Sequence, residues 1–334
     1  MHSRDLEIAA QVKELMRGKG PRDDAEFLIY LSKVLEIRGF RHAGPVKEFD
    51  HLARLPMATE DTFKQDVGNI DKHDVVFRTS GTTQKVRGVR RVCDYDLYRI
   101  SVQNGFRRFC LYQPKPETII SLVPSASARP DSSLSHMVSI VAARFFKHQY
   151  FFRESPDIID HEDFWYALDL VKGPVFIFAT QSDLNSAIFR MKQAKIRFNL
   201  PFGSRLLFTG GPKGRGNLAG PARIIALAKE FLGIDPQNII QEFGMTELFS
   251  QSYDVGDNEF RSVPWLRSLV VDPISLRVVP VGKQGLLLHI DLANCLSWPV
   301  ILSSDIAIRT QHGFRPLKRL PESSPRGCSQ DAGK

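Results

Sequence analysis

The sequence predicts an α/β fold with mainly parallel sheet layers and a small antiparallel β subdomain after them, and three observations carry that prediction. From Thr118 to Gln241, short apolar runs alternate with amphipathic stretches of helical spacing. After Tyr253 the texture changes to short β-type runs separated by Pro and Gly turns. Polar, glycine-containing loops follow three of the predicted strands, so that they can converge on one edge of a sheet, where ligand sites of such folds collect.

Residues 1–65 read as helical: Leu6, Ala9, Ala10, Val12, Leu15 and Met16 fall near helical spacing, and a second apolar pattern runs from Phe27 to Leu35. Asp74 to Arg78, with VVF at its centre, reads as a strand entering the loop TSGTTQKVRG, and a helix follows from about Tyr95. Thr118–Val123, Pro174–Ala179, Arg205–Thr209 and Asn238–Gln241 are the strands of the alternating stretch. Leu134–Lys147, Ser182–Ala194 and Leu218–Leu232 are its helices, the first of them with Ser132, Ser133 or Ser135 available as a cap. Ser268–Val271, Arg277–Val281, Gly285–Ile290 and Val300–Ile308 are the strands of the β subdomain. The expected organisation is a helical segment over residues 1–65 packed on a main domain over 66–320, β-rich from about 265, and then a mobile Pro-, Ser- and Gly-rich tail over 321–334.

Composition excludes several classes. With 334 residues, 43% hydrophobic and 25% charged, the chain is long and apolar enough to bury a sizeable core. The four cysteines, Cys93, Cys110, Cys295 and Cys328, are scattered without a CxxC pair, against a zinc site or a disulfide framework, and a reducing cytoplasm is the expected location. No stretch approaches the ~20 apolar residues that span a bilayer, and the residues after Met1 do not read as a secretory leader. The net charge of +8 raises the question of nucleic acid, but basic residues are spread along the chain rather than interleaved with aromatics on one face, so none is expected. The densest basic run, KVRGVRRV from Lys85 to Val92, reads either as a solvated face or as an attractor of a polyanionic ligand.

The chemistry centres on QEFGMTELFSQSY, from Gln241 to Tyr253, where a hydroxyl and two carboxylates sit beside a glycine at the end of an apolar run. Such a set can meet a phosphate and its metal ion. Thr79, Ser80, Gly81, Thr82 and Thr83 offer hydroxyls and unencumbered amides, either as a phosphate cradle or as a polar turn, and the Walker spacing is absent. Asp305, in ILSSDIAIR, reads as an acceptor for two ribose hydroxyls or as a turn or cap residue. His136 reads as a pocket wall or a surface residue, and Phe145, Phe146, Phe151, Phe152 and Trp165 as pocket or core.

Taken together, RTSGTTQ, FTGGPKGRG, QEFGMTE, SSDIAIR and RGCS, in that order, resemble the adenylate-forming enzymes, and among them the acyl-protein synthetases of the bacterial luciferase operons. The similarity runs from about Leu55 to Ser329. It implies the adenylate-forming large-domain fold without the usual mobile C-terminal domain. It further implies ATP and Mg²⁺ as cofactors, a carboxylic and specifically a fatty acid as substrate, and an acyl-AMP formed with release of pyrophosphate. Thr79 to Thr83 would hold phosphate, and Gly210 and Gly211 on one side with Phe243 and Gly244 on the other would enclose adenine. Thr246 would contact the α-phosphate, Glu247 would hold Mg²⁺, Asp305 the ribose hydroxyls, and Arg319 would stand near the nucleotide. Cys328 would take the acyl group as a thioester and pass it to a partner such as an acyl reductase. Delivery to CoA or a carrier protein is the alternative, and a degenerate nucleotide- or acyl-binding scaffold, motivated by Gln84 in place of a loop glycine, is another.

Overall fold

Alternation along single strands explains how this chain builds two cores from one sheet. In the run VFIFAT, Val175, Ile177 and Ala179 face one side while Phe176 and Phe178 face the other, and all five are buried. A strand that is apolar on both faces must be covered twice. The computed structural model describes residues 3–40, 45–64, 75–79, 87–153, 159–210 and 220–320.

The helices are α1 (Ser3–Arg17), α2 (Asp24–Ile37), α3 (Tyr95–Cys110), α4 (Ser133–Phe145), α5 (His161–Leu170), α6 (Gln181–Ala194) and α7 (Pro221–Leu232). The strands are β1 (Ala58–Thr59), β2 (Val75–Arg78), β3 (Val89–Val92), β4 (Thr118–Ser121), β5 (His148–Phe151), β6 (Val175–Thr180), β7 (Arg205–Thr209), β8 (Ile239–Phe243), β9 (Ser252–Asp254), β10 (Arg261–Ser262), β11 (Leu266–Val271), β12 (Gln284–Asp291), β13 (Val300–Arg309) and β14 (Phe314–Arg319).

A seven-stranded sheet has the order β10-β9-β8-β7-β6-β4-β5, parallel from β8 to β5 and antiparallel at β9 and β10. One face carries residues of α1 to α4, with Phe106, Phe146 and Phe176 in mutual ring contact. The other carries α5, α6 and α7 through Phe164, Leu184, Ile188, Ile224 and Phe231. The aromatics Phe145, Phe146, Phe152 and Trp165 therefore pack in or against these cores. Of the three serines offered as a cap, Ser132 takes the role, its hydroxyl accepting the Ser135 amide at 3.2 Å, and the structure adds Thr180, whose hydroxyl accepts the Asp183 amide at 3.1 Å.

A second sheet follows the order β1-β13-β12-β11, with β14 on the other side of part of β13. It is antiparallel as expected, except that β1, from the N-terminal segment, pairs in parallel with β13. The expected strand Arg277–Val281 reduces to a single bridge between Val271 and Val278, because Pro280 cannot donate to a ladder. β2 and β3 form a separate hairpin, so one of the three glycine-containing loops leaves that hairpin rather than the large sheet.

Candidate active site

The loops after β7 and β8 leave adjacent parallel strands at their carboxyl ends. Gly210 follows β7 with φ +83°, and a Cβ there would meet open space, so its requirement is conformational. Gly244 follows β8 for a different reason: a Cβ there would lie 2.4 Å from Glu242 Oε1. The Glu242 carboxylate accepts from the Thr209 hydroxyl and ties the ends of β7 and β8 together. Phe243 points toward the β subdomain, stacking on His289 at 5.8 Å and meeting Phe314 edge-on at 5.2 Å.

Thr246 and Glu247 are the central residues of a tight turn closed by the Leu248 amide donating to the Met245 carbonyl at 3.1 Å. Three sets of groups fasten this turn. Arg90 on β3, itself only 2% exposed, donates to the Thr246 carbonyl at 3.2 Å and to Asn294 Oδ1 at 2.7 Å, with its guanidinium 3.6 Å from the centre of the Phe249 ring. Asn294 donates to the Glu247 carbonyl at 2.9 Å, and the Asp291 carboxylate accepts the amides of Phe249 and Ser250 at 2.9 and 3.0 Å. Leu248 is buried against Ala58, Phe63 and Ile301. Burial pushes Arg90 down to about 10, with Asp291 and Glu247 opposing, so it stays charged at neutral pH.

The turn leaves Thr246 partly accessible and Glu247 buried, 5% exposed. Burial raises the Glu247 carboxyl to about 7, and the Glu60 carboxylate adds to the rise while Arg319 and Arg90 oppose it. Asp305, inside β13 rather than at a turn or cap, is partly accessible and stands opposite Arg319 of β14. Burial works against the charge on Arg319, but Glu60, Asp305 and Glu247 outweigh it and raise its pKa. The carboxylates and the guanidinium thus form one electrostatic group.

Thr79 closes the base of its loop: its amide donates to the Gly88 carbonyl at 2.9 Å and its hydroxyl accepts the Gly88 amide at 2.8 Å. Arg87 donates to the Thr79 carbonyl at 2.6 Å and pairs with Asp131 at 3.2 Å, so this cation braces the loop base. Ser80, Gly81, Thr82 and Thr83 lie outside the described residues, as do Gly211 and Cys328. His136 is a brace as well, bridging the Tyr95 hydroxyl at 2.9 Å and the Pro130 carbonyl at 3.0 Å.

Among the described residues there is no group of three His, Cys, Asp or Glu suited to a metal. Magnesium beside a nucleotide takes one or two carboxylates and completes its shell with phosphates and water. Glu247 would supply one such carboxylate: burial favours its neutral form, and a bound cation would oppose that preference. Sequence reasoning passed over Glu60, Arg90, Asp291 and Asn294. Arg90 had a signal: in VRRV the alternation puts it on the face of buried Val92.

The fold is that of the adenylate-forming ligases. ATP-bound MatB of Rhodopseudomonas palustris superposes with a TM-score of 0.55 at 12% identity, over 73% of this chain and 47% of its own. A long-chain-fatty-acid-CoA ligase of Archaeoglobus fulgidus gives 0.56 at 15%, over 74% and 51%. An open conformation of 2-hydroxyisobutyryl-CoA ligase, in complex with 2-HIB-AMP and CoA, gives 0.63 at 16%, over 95% and 68%. In sequence the chain is similar to the long-chain-fatty-acid–luciferin-component ligase of Vibrio harveyi, 28% identical in an alignment over 111 residues that covers 31% of this chain and 29% of that protein. No protein-family model matches the chain. The chain therefore spans about half the length of two of these ligases, and its sequence match covers less than a third of the curated relative.

Proposed function

We propose that the protein activates a carboxylic acid, specifically a fatty acid, with ATP. A carboxylate is a poor acyl donor because oxide would have to leave. Its oxygen attacks the α-phosphorus, the bond to the pyrophosphate oxygen breaks, and acyl-AMP and pyrophosphate result. A thiolate then attacks the carbonyl carbon and AMP leaves. In this reading residues 66–320 carry adenylation, with 1–65 packed on them and 321–334 bringing the Cys328 thiol for onward transfer to an acyl-accepting partner such as an acyl reductase.

The observation that supports this reading most is the braced turn. It holds partly accessible Thr246 next to buried Glu247, whose carboxylate belongs to the electrostatic group that includes Asp305 and Arg319. Thr246 would donate to an α-phosphate oxygen and Asp305 would accept from ribose hydroxyls. Gly210, Gly211, Phe243 and Gly244 would flank the base, and Thr79 to Thr83 would enclose the outer phosphates. Arg319 would contribute positive charge near the nucleotide. Magnesium, when bound at Glu247, would neutralise charge on the phosphates. The V. harveyi similarity favours an acyl-protein acceptor, while the CoA ligases among the structural neighbours favour CoA as the second reading.

Pyrophosphate release with ATP, Mg²⁺ and a panel of carboxylic acids tests the first half-reaction, and the intact mass of wild type and Cys328→Ala tests the second. The expected result is release with long-chain acids and an acyl mass that only the wild type gains. Release without that mass difference moves the acceptor to CoA or a carrier protein. No release with any acid leaves the scaffold reading. Glu247→Gln is expected to lower release by about a hundredfold, the scale of losing a charged transition-state contact.

A further inference from the structure

The N-terminal segment contributes a buried carboxylate to the group around Arg319. β1 pairs with β13 through Ala58 opposite Ile301 and Thr59 opposite Leu302, so the 3₁₀ turn Glu60–Lys64 that follows lies beside the strand leading to Asp305. Glu60 is 6% exposed. Its Oε1 accepts the Ser304 amide at 3.0 Å and pairs with Arg319 at 2.8 Å, and its Oε2 accepts the Ser304 hydroxyl at 2.6 Å. One carboxylate thus fixes the residue before Asp305 and also the guanidinium that stands across from Asp305 in the β13–β14 ladder.

We infer that Glu60 is a positioning residue of the nucleotide site, holding Asp305 and Arg319 in the arrangement that reads the ribose; the inference rests on the adenylation reading. The geometry gives the reason. Arg319 keeps 52% of its side-chain surface accessible, so packing alone does not hold a long, flexible side chain in one place. Its carboxylate neighbours are Glu60, Asp305 and Glu247, and both oxygens of Glu60 are anchored to Ser304, one to its amide and one to its hydroxyl. Removing the Glu60 charge leaves the guanidinium drawn toward Asp305 and Glu247 alone. The guanidinium would then compete more strongly with the ribose hydroxyls for Asp305, which already faces it across the β13–β14 ladder. The Ser304 amide anchor would be weakened in the same step, freeing the strand to shift Asp305.

A structural role alone would lower all activity in proportion to folded protein. A ribose-positioning role changes discrimination between nucleotides. The test compares kcat/KM for ATP and for 2′-deoxy-ATP in pyrophosphate release, in wild type and in the isosteric Glu60→Gln. The wild type is expected to prefer ATP, and Glu60→Gln to lose about tenfold with ATP, the scale of one charge-assisted hydrogen bond, with a much smaller loss for the deoxy nucleotide. A folded Glu60→Gln that keeps the wild-type ratio overturns the proposal. Should that variant fail to fold, Ser304→Ala, which removes the hydroxyl that Oε2 accepts, carries the same comparison with the same expected fall in ratio. If wild type releases no pyrophosphate with any acid, calorimetric binding of ATP and 2′-deoxy-ATP replaces kinetics. Ribose-sensitive binding lost in Glu60→Gln then sustains Glu60 while the adenylation reading fails, and absence of nucleotide binding overturns both.

Discussion

His289 shows how a single buried group ties the site to acid sensitivity. It is fully buried between Phe243 and Phe314, with Nδ1 2.9 Å from the Ser268 hydroxyl, and burial alone pushes its pKa down to about 3. The folded imidazole stays neutral while the unfolded one titrates near its ordinary value of about 6.5, so its contribution is intact above that pH and is lost as pH falls toward 3. The unfolding free energy of the wild type, from urea titrations, is expected to fall by up to about 1.4 kcal/mol per pH unit across that window through this residue, and His289→Leu is expected to flatten the slope. Gly244 makes a second residue-scale prediction. In Gly244→Ala the new methyl meets the Glu242 carboxylate and disturbs its bond from Thr209, so the variant is expected to lose about 2 kcal/mol in urea unfolding. If Gly244→Ala matches the wild type, Glu242 has room to move and the tie between the strand ends is not rigid.

At the scale of elements, β3 acts through one side chain. Arg90→Met preserves much of the apolar contact with Phe249 but removes the donors to the Thr246 carbonyl and to Asn294. It is expected to lower stability, because buried Asp291, Asn294 and the Thr246 carbonyl lose their partner, and to cost pyrophosphate release at least about tenfold more than the loss of folded protein accounts for, because the turn loses its brace. Equal losses in activity and stability would make Arg90 a core residue only. The elements that were legible are those whose pattern is set by two-sided burial: β7 falls on Arg205–Thr209 as expected, and β6 and α6 begin within one residue of expectation. Those that were not legible have physical reasons. β5, HQYF, is an exposed edge with no apolar face, and β14, FRPLKR, is basic and holds a proline. Thr246, Glu247, Asp305 and Arg319 were singled out by motif as candidates, whereas Glu60 sits in ATEDTF, where nothing local distinguishes a buried acid from a surface turn. Only the long-range pairing of β1 with β13 gives it a role.

For the molecule as a whole, the large sheet is an ordinary scaffold covered on both faces, and the proposed chemistry depends on what is stitched across its end. Bound nucleotide is expected to stabilise that assembly by about 2.7 kcal/mol at a hundredfold excess over Kd, measured as a ligand-dependent rise in the urea midpoint. Glu247→Gln is expected to reduce the part of this gain that requires magnesium. No described helix is long and apolar enough to cross a membrane. The parallel seam between β1 and β13 has a consequence for how the protein comes into being. Glu60 and Ser304 are 244 residues apart in sequence, so the loop that must close before they meet is among the longest this chain can form. Contacts of that span are slow to form and late to be rewarded. Refolding from urea is therefore expected to recover helical circular dichroism well before nucleotide binding, and on the adenylation reading a nascent chain on the ribosome is expected to bind ATP fully only once β13 has emerged.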